Sequence, residues 1–473
     1  MLTHLEVDGF KNLVGFSVDF GPFTCMAGPN GAGKSNVFDA IRFLSLLADS
    51  TLTEAALSIR GTGGIDTGDI RDLFCSDGSD RVDRFRIAAE MIVDRKVTDD
   101  FGRTAHASST FLRYEIEIGY ESDRDRNGLV RLVLRSETLK YITKGDAAGK
   151  LRFAHSASEF RNKAVFNNRR ASSGYISVRE AEDGQTEIMV HQDGGSRGPG
   201  QRAPASTAPR TIVGTTNTSV TPTILAARRE MQQWRFLALE PSAMRRPDRF
   251  HVDPHITASG EHIPATLFRL VNDAKRSGET AEDVYAEVTN RLAELVPVED
   301  VGLDVDDVRQ LVTIMVKERS GVQLPAASLS DGTLRFLTLV TLVADPQARG
   351  LICIEEPENG IHPARMSQMV NLLKDLSVDP SEEPGPGNPF RQVIVATHSP
   401  RFVQLAGQDN LLFALEKLVR RPDGRAQRTL RCFPLAKTWR GGVETVGMCT
   451  ILDYLSDPRG AQLKLAAFAE AGE

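Results

Sequence analysis

The residues with the clearest chemical potential form a glycine-rich segment, Gly28-Pro29-Asn30-Gly31-Ala32-Gly33-Lys34-Ser35, which we call the P-loop segment. It follows an apolar strand, Phe23 to Ala27, and precedes a helical pattern made by Val37, Phe38, Ile41 and Leu44. The spacing GxxxxGK[ST] between a strand and a helix is typical of a loop whose N–H groups surround phosphate oxygens. Lys34 would neutralise the β and γ phosphates, and the Ser35 hydroxyl would bind Mg²⁺. A chance glycine-rich turn is the alternative, and the flanking strand and helix argue against it.

Two adjacent carboxylates, Glu355 and Glu356, end the apolar run Leu351 to Ile354. In a P-loop fold the first carboxylate holds the Mg²⁺ shell and the second can polarise an attacking water. Glutamate pairs at strand ends are also common solvated residues, so the catalytic interpretation depends on their combination with the P-loop segment. His398 follows another apolar run, Val393 to Ala396, at a spacing that favours contact with a γ phosphate over the structural role of most isolated histidines.

A fourth segment, Leu329-Ser330-Asp331-Gly332-Thr333, precedes a further helical pattern. A small hydroxyl residue and a glycine at a helix start present N–H groups to an anion. Alone, this segment, which we call the signature segment, indicates only a helix N-cap. However, Ser330 lies 295 residues after Ser35 (330 − 35) and 25 before Glu355 (355 − 330), an order that narrows the class of protein.

Five segments in sequence order together resemble the SMC/RecF-like branch of ABC ATPases: GFKNL, GPNGAGKSN, LSDGTLRFL, IEEPENGIHP and VIVATHSP. The chain is similar to compact bacterial ATPases of the RecF kind and to the OLD-family ATPase domain, over roughly residues 1–50 and 226–405. The resemblance implies an α/β fold: a P-loop NTPase of ABC type with a mixed sheet, an antiparallel β N-lobe and an inserted segment rich in strands and loops.

The same resemblance implies a homodimer or higher oligomer that sandwiches ATP and Mg²⁺, with Ser330 reaching the ATP of a second subunit. It implies that Asn359 to His362, the interface loop, crosses between subunits, and that Lys11 approaches the nucleotide. Expected catalytic residues are Glu356, Glu355, His398 and Lys34, and expected metal ligands are Ser35 and Glu355. The expected nucleotide contacts are Lys11, Asn30, Gly31, Ala32, Gly33, Lys34, Ser35, Asn36, Ser330 and Gly332.

The chain departs from the family pattern in three places. Glu355 stands where many ABC proteins have Asp, which leaves the water-polarising role open between Glu355 and Glu356. The glutamine usual between the P-loop and the signature is missing at its position, because the first glutamine is Gln185, and Asp72 is a weak substitute. The 75 residues after His398 (473 − 398) lack the acidic cluster of the nuclease domain in OLD-like proteins, so we expect no nuclease activity.

Sequence patterns divide the chain into four parts. We predict the first part of the ATPase head over 1–144, an insertion over 145–225, the second part of the head over 226–405 and a C-terminal extension over 406–473. Within the insertion, residues 192–223 are mostly Gly, Ser, Thr, Pro and Arg, a composition that buries too little surface to offset ordering entropy. We therefore expect a disordered loop there.

Composition places the chain among globular proteins, with 473 residues, 41% hydrophobic residues and a formal net charge of −6. That charge argues against a globally basic nucleic-acid binder. The start shows no basic region followed by a long apolar stretch, and the most apolar run, Phe336 to Ala344, is too short to span a bilayer. Five scattered cysteines without a CxxC pair favour reduced, mostly buried thiols. We expect a cytoplasmic protein without membrane contact.

Two basic clusters could bind phosphates of DNA. The larger flanks a turn, Pro422-Asp423-Gly424, and reads as the end of a hairpin, although a solvated turn is an equal alternative. Its members are Lys417, Arg420, Arg421, Arg425, Arg428 and Arg431, and the smaller cluster is Arg245, Arg246 and Arg249. We therefore hypothesise an ATP-gated switch that acts on DNA or on a separately encoded effector, in DNA maintenance or anti-phage defence. The alternative is an ATP-gated sensor that controls a protein partner without touching nucleic acid. The ATPase of a membrane transporter is disfavoured, because transporter ATPases carry the signature much closer to the P-loop in sequence.

Overall fold

The computed structural model describes residues 1–60, 69–76, 81–123, 129–169, 173–181, 184–193, 201–420 and 426–456. Its strands are β1 Leu2–Asp8, β2 Phe16–Asp19, β3 Phe23–Ala27, β4 Arg84–Ile92, β5 Lys96–Thr98, β6 Thr104–His106, β7 Phe111–Asp123, β8 Leu129–Tyr141, β9 Ile176–Glu180, β10 Thr186–Val190, β11 Gln201–Pro204, β12 Arg235–Leu237, β13 Asp248–Arg249, β14 Val298–Asp306, β15 Leu311–Glu318, β16 Gln323–Pro325, β17 Gly350–Glu355, β18 Arg391–Thr397, β19 Leu411–Arg420 and β20 Ala426–Pro434. Its α-helices are α1 Lys34–Leu47, α2 Leu52–Arg60, α3 Lys144–Lys150, α4 Asn162–Ala164, α5 Ile212–Thr215, α6 Pro222–Gln232, α7 Pro241–Met244, α8 Ile263–Ser277, α9 Ala281–Ala293, α10 Asp331–Ala344, α11 Met366–Asp375, α12 Pro400–Ala406 and α13 Met448–Ser456.

A six-stranded sheet in the order β12-β17-β18-β3-β19-β20 forms the centre of the site-bearing half. Its first five strands are parallel neighbours, and only β19 and β20 pair antiparallel. Every residue of β3 and of β18 is buried, as expected for strands covered on both faces. The unit of β17, crossover helix α11 and β18 confirms the βαβ arrangement that the apolar runs indicate.

Side chains that alternate along these strands enter two different cores. Met26 and Cys353 pack with α1 and with the large antiparallel sheet. Cys25 and Ile352 point to the opposite face, where α9, α10, α11 and α12 cover the sheet. The central sheet therefore cannot shift its register by one residue without moving apolar side chains between two filled cores.

The second large sheet has eight strands in the order β11-β10-β9-β8-β7-β4-β1-β2, and all its pairings are antiparallel. It confirms the antiparallel β N-lobe, and the strands from the inserted segment, β9 to β11, continue this sheet. A smaller antiparallel sheet joins β13, β15 and β14, with β16 on β15. No helix of the described residues is long and apolar enough to cross a membrane. Within the described residues no disulfide joins any of the five cysteines, and three of them, Cys25, Cys75 and Cys353, are buried.

The predicted disorder of residues 192–223 is wrong for residues 201–223, and residues 194–200 lie outside the described part of the chain. β11 pairs with β10 at the sheet edge, and α5 follows with Val213 fully buried. The small side chains allow close packing, since a Cβ on Gly214 would lie 2.3 Å from the backbone oxygen of Leu47. Composition alone missed the packing of Gly214 on Leu47 because the two residues lie far apart in the chain.

A buried carboxylate, Glu137 of β8, holds this segment in place. It accepts hydrogen bonds from the backbone N–H groups of Ile212 at 2.6 Å and Val213 at 3.0 Å, and from the Tyr114 hydroxyl at 3.1 Å. Glu137 is completely buried, and burial raises its pKa from 4.5 to about 7 despite these donors.

Glu137 should make stability depend on pH. Because its pKa is higher in the folded chain, its contribution is fully present below pH 4.5 and is lost as pH rises through about 7. The shift of 2.5 (7 − 4.5) corresponds to about 3 kcal/mol. We expect Glu137→Gln to remove this dependence, although the amide, with one acceptor oxygen, lowers stability at pH 5. Denaturant unfolding at pH 5 and pH 8 measures the free energy of unfolding, with substitution of an exposed glutamate of α9, Glu287→Gln, as control. If the free energy of unfolding changed equally with pH in the wild type and in Glu137→Gln, this role would be contradicted.

Candidate functional site

The P-loop segment joins the end of β3 to the start of α1, as its sequence predicts. Gly33 has φ 99°, a left-handed conformation that disfavours side chains, and a Cβ there would lie 2.4 Å from Nδ2 of Asn12. Asn12 in turn accepts a 2.8 Å hydrogen bond from Asn36 Nδ2. Asn12 therefore braces the loop and the first turn of α1. Sequence analysis missed this role: Asn12 belongs to the GFKNL segment, but only Lys11 of that segment was given a function.

Lys34 is the first residue of α1, and its ammonium group lies inside the loop. Nζ donates to the backbone oxygens of Gly28 at 2.7 Å and Pro29 at 2.8 Å. Burial lowers the pKa of Lys34, while the charges of Glu356, Glu355 and Glu358 raise it. A phosphate oxygen is a stronger acceptor than a neutral carbonyl. The ammonium is thus positioned to exchange its carbonyl partners for a phosphate.

Parallel pairing brings the predicted carboxylates and the histidine to the P-loop edge of the sheet. Glu355 pairs in register with Ala396, and Thr397 pairs with Ala27 at the end of β3. The backbone N–H of Gly28 also donates to the oxygen of Thr397 at 3.2 Å. The loops after β3, β17 and β18 therefore meet at one edge.

Glu356 is held more firmly than Glu355. Its backbone has φ 48°, which costs a non-glycine residue on the order of 1 kcal/mol. Its Oε2 accepts a 2.8 Å hydrogen bond from Asn359 Nδ2, and its Oε1 lies 3.1 Å from His398 Nδ1 without the alignment of a hydrogen bond. Glu355 ends β17 as an exposed side chain. The two adjacent glutamates therefore differ in environment.

A third acid of the same turn, Glu358, was missed by sequence analysis. Its side chain is 9% exposed, and the Thr397 hydroxyl donates a hydrogen bond to its Oε1. Thr397 Oγ1 also accepts from the Ser399 N–H at 3.0 Å. Glu358 therefore ties the turn after β17 to the loop that carries His398. The repeated acid in Glu355-Glu356-Pro357-Glu358 was the available signal.

The signature segment begins α10, with Ser330 as the N-cap. Ser330 Oγ accepts from the Thr333 N–H at 3.2 Å. A Cβ on Gly332 would lie 3.3 Å from the backbone oxygen of Gly360, so the signature packs directly on the interface loop. Among the described residues, the hydrogen bonds of the Ser330 side chain stay within this segment, and none joins it to the P-loop. The structure brings together the P-loop, the carboxylates and His398, and it keeps the signature with the interface loop.

Lys11 has φ 48° and forms an ion pair with Asp39 on α1, five residues after Lys34 (39 − 34). Its N–H donates to the Leu73 oxygen at 2.8 Å, next to Asp72, which pairs with Arg81 at 3.1 Å. Lys11 therefore contacts α1 through its side chain and the segment next to Asp72 through its backbone. A nucleotide contact by either residue stays a prediction.

The basic hairpin exists, since β19 and β20 pair antiparallel. Several of its cations have partners: Lys417 pairs with Glu444 at 2.7 Å, and Arg428 pairs with Glu416 at 3.3 Å. Arg431 turns inward and donates to the Val14 oxygen at 2.8 Å. Arg421 and Arg425 lie outside the described residues. In the smaller cluster, Arg246 pairs with Glu261 at 3.2 Å.

The donor set at this edge fits a nucleotide with Mg²⁺. Mg²⁺ prefers oxygen ligands and usually binds through one or two protein groups together with phosphates and water. The exposed Ser35 and the exposed Glu355 carry oxygens of this kind at the ends of adjoining elements. The Lys34 ammonium and the N–H groups of the helix start supply the complement to the phosphates.

A glycine-rich loop between β3 and α1, on a central sheet of mainly parallel strands, is the arrangement of a P-loop ATPase domain. Residues 23–150 and 203–404 match the family described as "AAA domain, putative AbiEii toxin, Type IV TA system". The match spans more than half of the chain, and the chain belongs to this family. No curated protein matches the chain.

Solved structures that resemble the chain include heads of SMC proteins. An Smc head bound to the C-terminal winged-helix domain of ScpA has 14% identity and a TM-score of 0.43, covering 91% of this chain and 97% of its own. An Smc head with an extended coiled coil, bound to the C-terminal domain of ScpA from Pyrococcus furiosus, has 13% identity, coverage of 91% and 96%, and a TM-score of 0.44. The SMC head domain from Thermotoga maritima has 12% identity, coverage of 92% and 98%, and a TM-score of 0.38.

Lys34→Ala should abolish ATP hydrolysis and leave the fold intact. The ammonium is the group placed to meet the β and γ phosphates. Its removal opens no apolar cavity but takes the donor from two loop carbonyls, so we expect a loss of stability of about 1 kcal/mol. Phosphate release and thermal unfolding measure the two effects, with substitution of an exposed lysine of α8, Lys275→Ala, as the matched control. Wild-type turnover in folded Lys34→Ala protein would refute the role of this lysine.

Proposed function

We propose that this chain is an ATPase that works as an ATP-gated dimer. One observation carries the proposal: parallel pairing sets the P-loop lysine, Lys34, beside Glu355, Glu356 and the loop of His398. An ammonium, paired carboxylates and an imidazole at one sheet edge are the groups that phosphoryl transfer to water requires.

In this proposal ATP is bound mainly by the P-loop segment and the start of α1. Lys34 contacts the β and γ phosphates, and Ser35 and Glu355 hold Mg²⁺. The metal, when bound, neutralises charge that develops on the phosphate oxygens. The remaining expected contacts of the segment are Asn30, Gly31, Ala32, Gly33 and Asn36.

Glu356 is the better candidate for polarising the attacking water. Its carboxylate accepts a hydrogen bond from Asn359 and lies 3.1 Å from His398, whereas the Glu355 side chain is exposed at the end of β17. The water oxygen would form a bond to the γ phosphorus while the bond to the β–γ bridging oxygen breaks. The proton of the water passes to the Glu356 carboxylate, and ADP and phosphate leave. His398 would contact the γ phosphate.

The signature segment would complete the site of a second copy. Within one chain Ser330 has its hydrogen bonds inside its own segment, at the start of a helix whose N–H groups favour an anion. Gly332 packs on Gly360, so the signature and the interface loop present one face. A two-fold axis would bring this face onto the P-loop of each partner and enclose two ATP molecules.

The closed dimer would act on DNA or on a separately encoded effector, in DNA maintenance or defence. The alternative, control of a protein partner without nucleic acid, gains support from one observation. Lys417 and Arg428 of the basic hairpin are paired with Glu444 and Glu416, which reduces the positive charge available to phosphates. The name of the family includes a toxin of a type IV toxin–antitoxin system. An ATP-gated component of such a system is one form that this alternative could take.

Two substitutions should stop turnover for opposite reasons. Glu356→Gln keeps ATP binding but removes the carboxylate that accepts the proton, so turnover should fall on the order of 10²–10⁴-fold and closed dimers should accumulate. Ser330→Arg places a bulky cation at the interface and should prevent closure while each P-loop still binds ATP. Sedimentation with ATP, together with crosslinking across the interface, separates the two. Wild-type hydrolysis by Ser330→Arg would show that the site is not shared between copies.

The hairpin tests DNA binding. If its cations touch phosphates, replacing Arg420, Arg421 and Arg425 by Ala should weaken binding equally for all sequences and reduce the salt dependence by about 0.9 per lost contact. Titration of DNA at several salt concentrations, with ATP, measures this, and Arg276→Ala with Arg309→Ala provides a control of surface arginines. If the salt dependence of DNA affinity is unchanged in the triple variant, the hairpin does not contact DNA phosphates. No DNA binding by the ATP-bound wild type would favour the protein partner.

A further inference from the structure

The first residue of α10, Asp331, carries a negative charge next to Ser330. An acidic side chain at a helix N-terminus normally stabilises the helix by interaction with its dipole. At this helix, however, the proposed function places phosphates of the ATP held by the second copy. A free carboxylate would repel those phosphates and would oppose closure of the dimer.

Arg245, which follows α7, neutralises this carboxylate. Its Nη2 lies 2.5 Å from Asp331 Oδ1 and donates to the backbone oxygen of Leu329 at 3.0 Å. The preceding residue, Met244, is 1% exposed, and its sulfur accepts from the Thr338 hydroxyl of α10 at 3.1 Å. The arginine is therefore anchored on the same helix that it serves, and its guanidinium reaches both sides of Ser330.

A second guanidinium lies one helical turn further along α10. Arg335 follows Asp331 by four residues (335 − 331). Burial lowers the pKa of Arg335, and the Asp331 charge offsets only part of that effect. A Cβ on Gly360, in the interface loop, would lie 3.8 Å from Arg335 Nε. Two cations and one anion therefore surround the start of α10, and the local balance is positive only while Arg245 is present together with Arg335.

We propose that Arg245 is a positioning residue of the signature: it neutralises Asp331 so that the start of α10 can accept a phosphate of the ATP bound by a second copy. This inference rests on the proposed function. It assigns to Arg245 a role different from the DNA contact that its basic neighbours suggest in the sequence.

The test is a double-mutant cycle in the Glu356→Gln background, in which ATP-dependent dimers accumulate. Arg245→Ala exposes the Asp331 charge and should weaken ATP-induced dimerisation on the order of tenfold or more. Asp331→Asn removes the charge at nearly constant shape, and in combination with Arg245→Ala it should restore dimerisation to within about threefold of the parent. Arg246→Ala, which removes the neighbouring arginine that pairs with Glu261, is the matched control and should leave dimerisation unchanged.

Two measurements separate this charge effect from a structural one. The dimer constant is measured by sedimentation at several ATP concentrations, and ATP binding to the monomer is measured calorimetrically at high dilution, where it should not change in any variant. If Arg245 only tethers the Leu329 backbone, Asp331→Asn will not rescue Arg245→Ala, and the inference is overturned. Dimerisation of Arg245→Ala at the parent level overturns it as well. If the Glu356→Gln parent itself fails to dimerise with ATP, the proposed function fails and the inference falls with it.

Discussion

The site depends on the parallel register of three buried strands. Pairing of Ala27 with Thr397, and of Ala396 with Glu355, puts the ends of β3, β18 and β17 at the same level. Both faces of these strands are packed, so the register is set by two cores rather than by the loops themselves. The loops can therefore be short and polar and still hold their chemical groups in fixed relative positions. Asn12 and Glu358 add side-chain bonds that connect one loop to the next.

The charge balance at this edge explains why a nucleotide would need a metal ion there. One ammonium, Lys34, faces the carboxylates of Glu355, Glu356 and Glu358, which leaves an excess of negative charge before any ligand arrives. A triphosphate adds more negative charge, and the N–H groups of the helix start offset only part of it. A divalent cation between Glu355 and the phosphates would convert this repulsion into attraction. The same excess of carboxylate would disfavour binding of a bare polyanion at this edge.

The sequence was informative wherever the signal is local, and it failed where the partner is distant. The P-loop segment, the β17-α11-β18 unit and the basic hairpin follow from spacing within short stretches, and the structure confirms these elements. The ordered segment 201–223 did not follow, because its stability comes from an edge strand and from Glu137, far away in sequence. Arg245 looked like one of three surface arginines until its contact with the signature was visible. Composition describes what a segment lacks, whereas order here depends on what other segments supply.

The two halves of the proposed composite site are connected inside one chain, and this connection can transmit the state of the nucleotide. Asn359 donates to Glu356, the residue next to the reacting water in our proposal, and Gly360 follows Asn359 directly. The Gly360 oxygen then lies against Gly332 at the start of α10. Protonation of Glu356, or departure of the γ phosphate beside it, alters the acceptor that holds Asn359. A displacement of this turn toward α10 would therefore press on the start of the helix, because even a Cβ on Gly332 would lie only 3.3 Å from the Gly360 oxygen. In the proposed dimer, that helix start would contact the ATP of the other copy, so hydrolysis in one site would weaken the interface at the second.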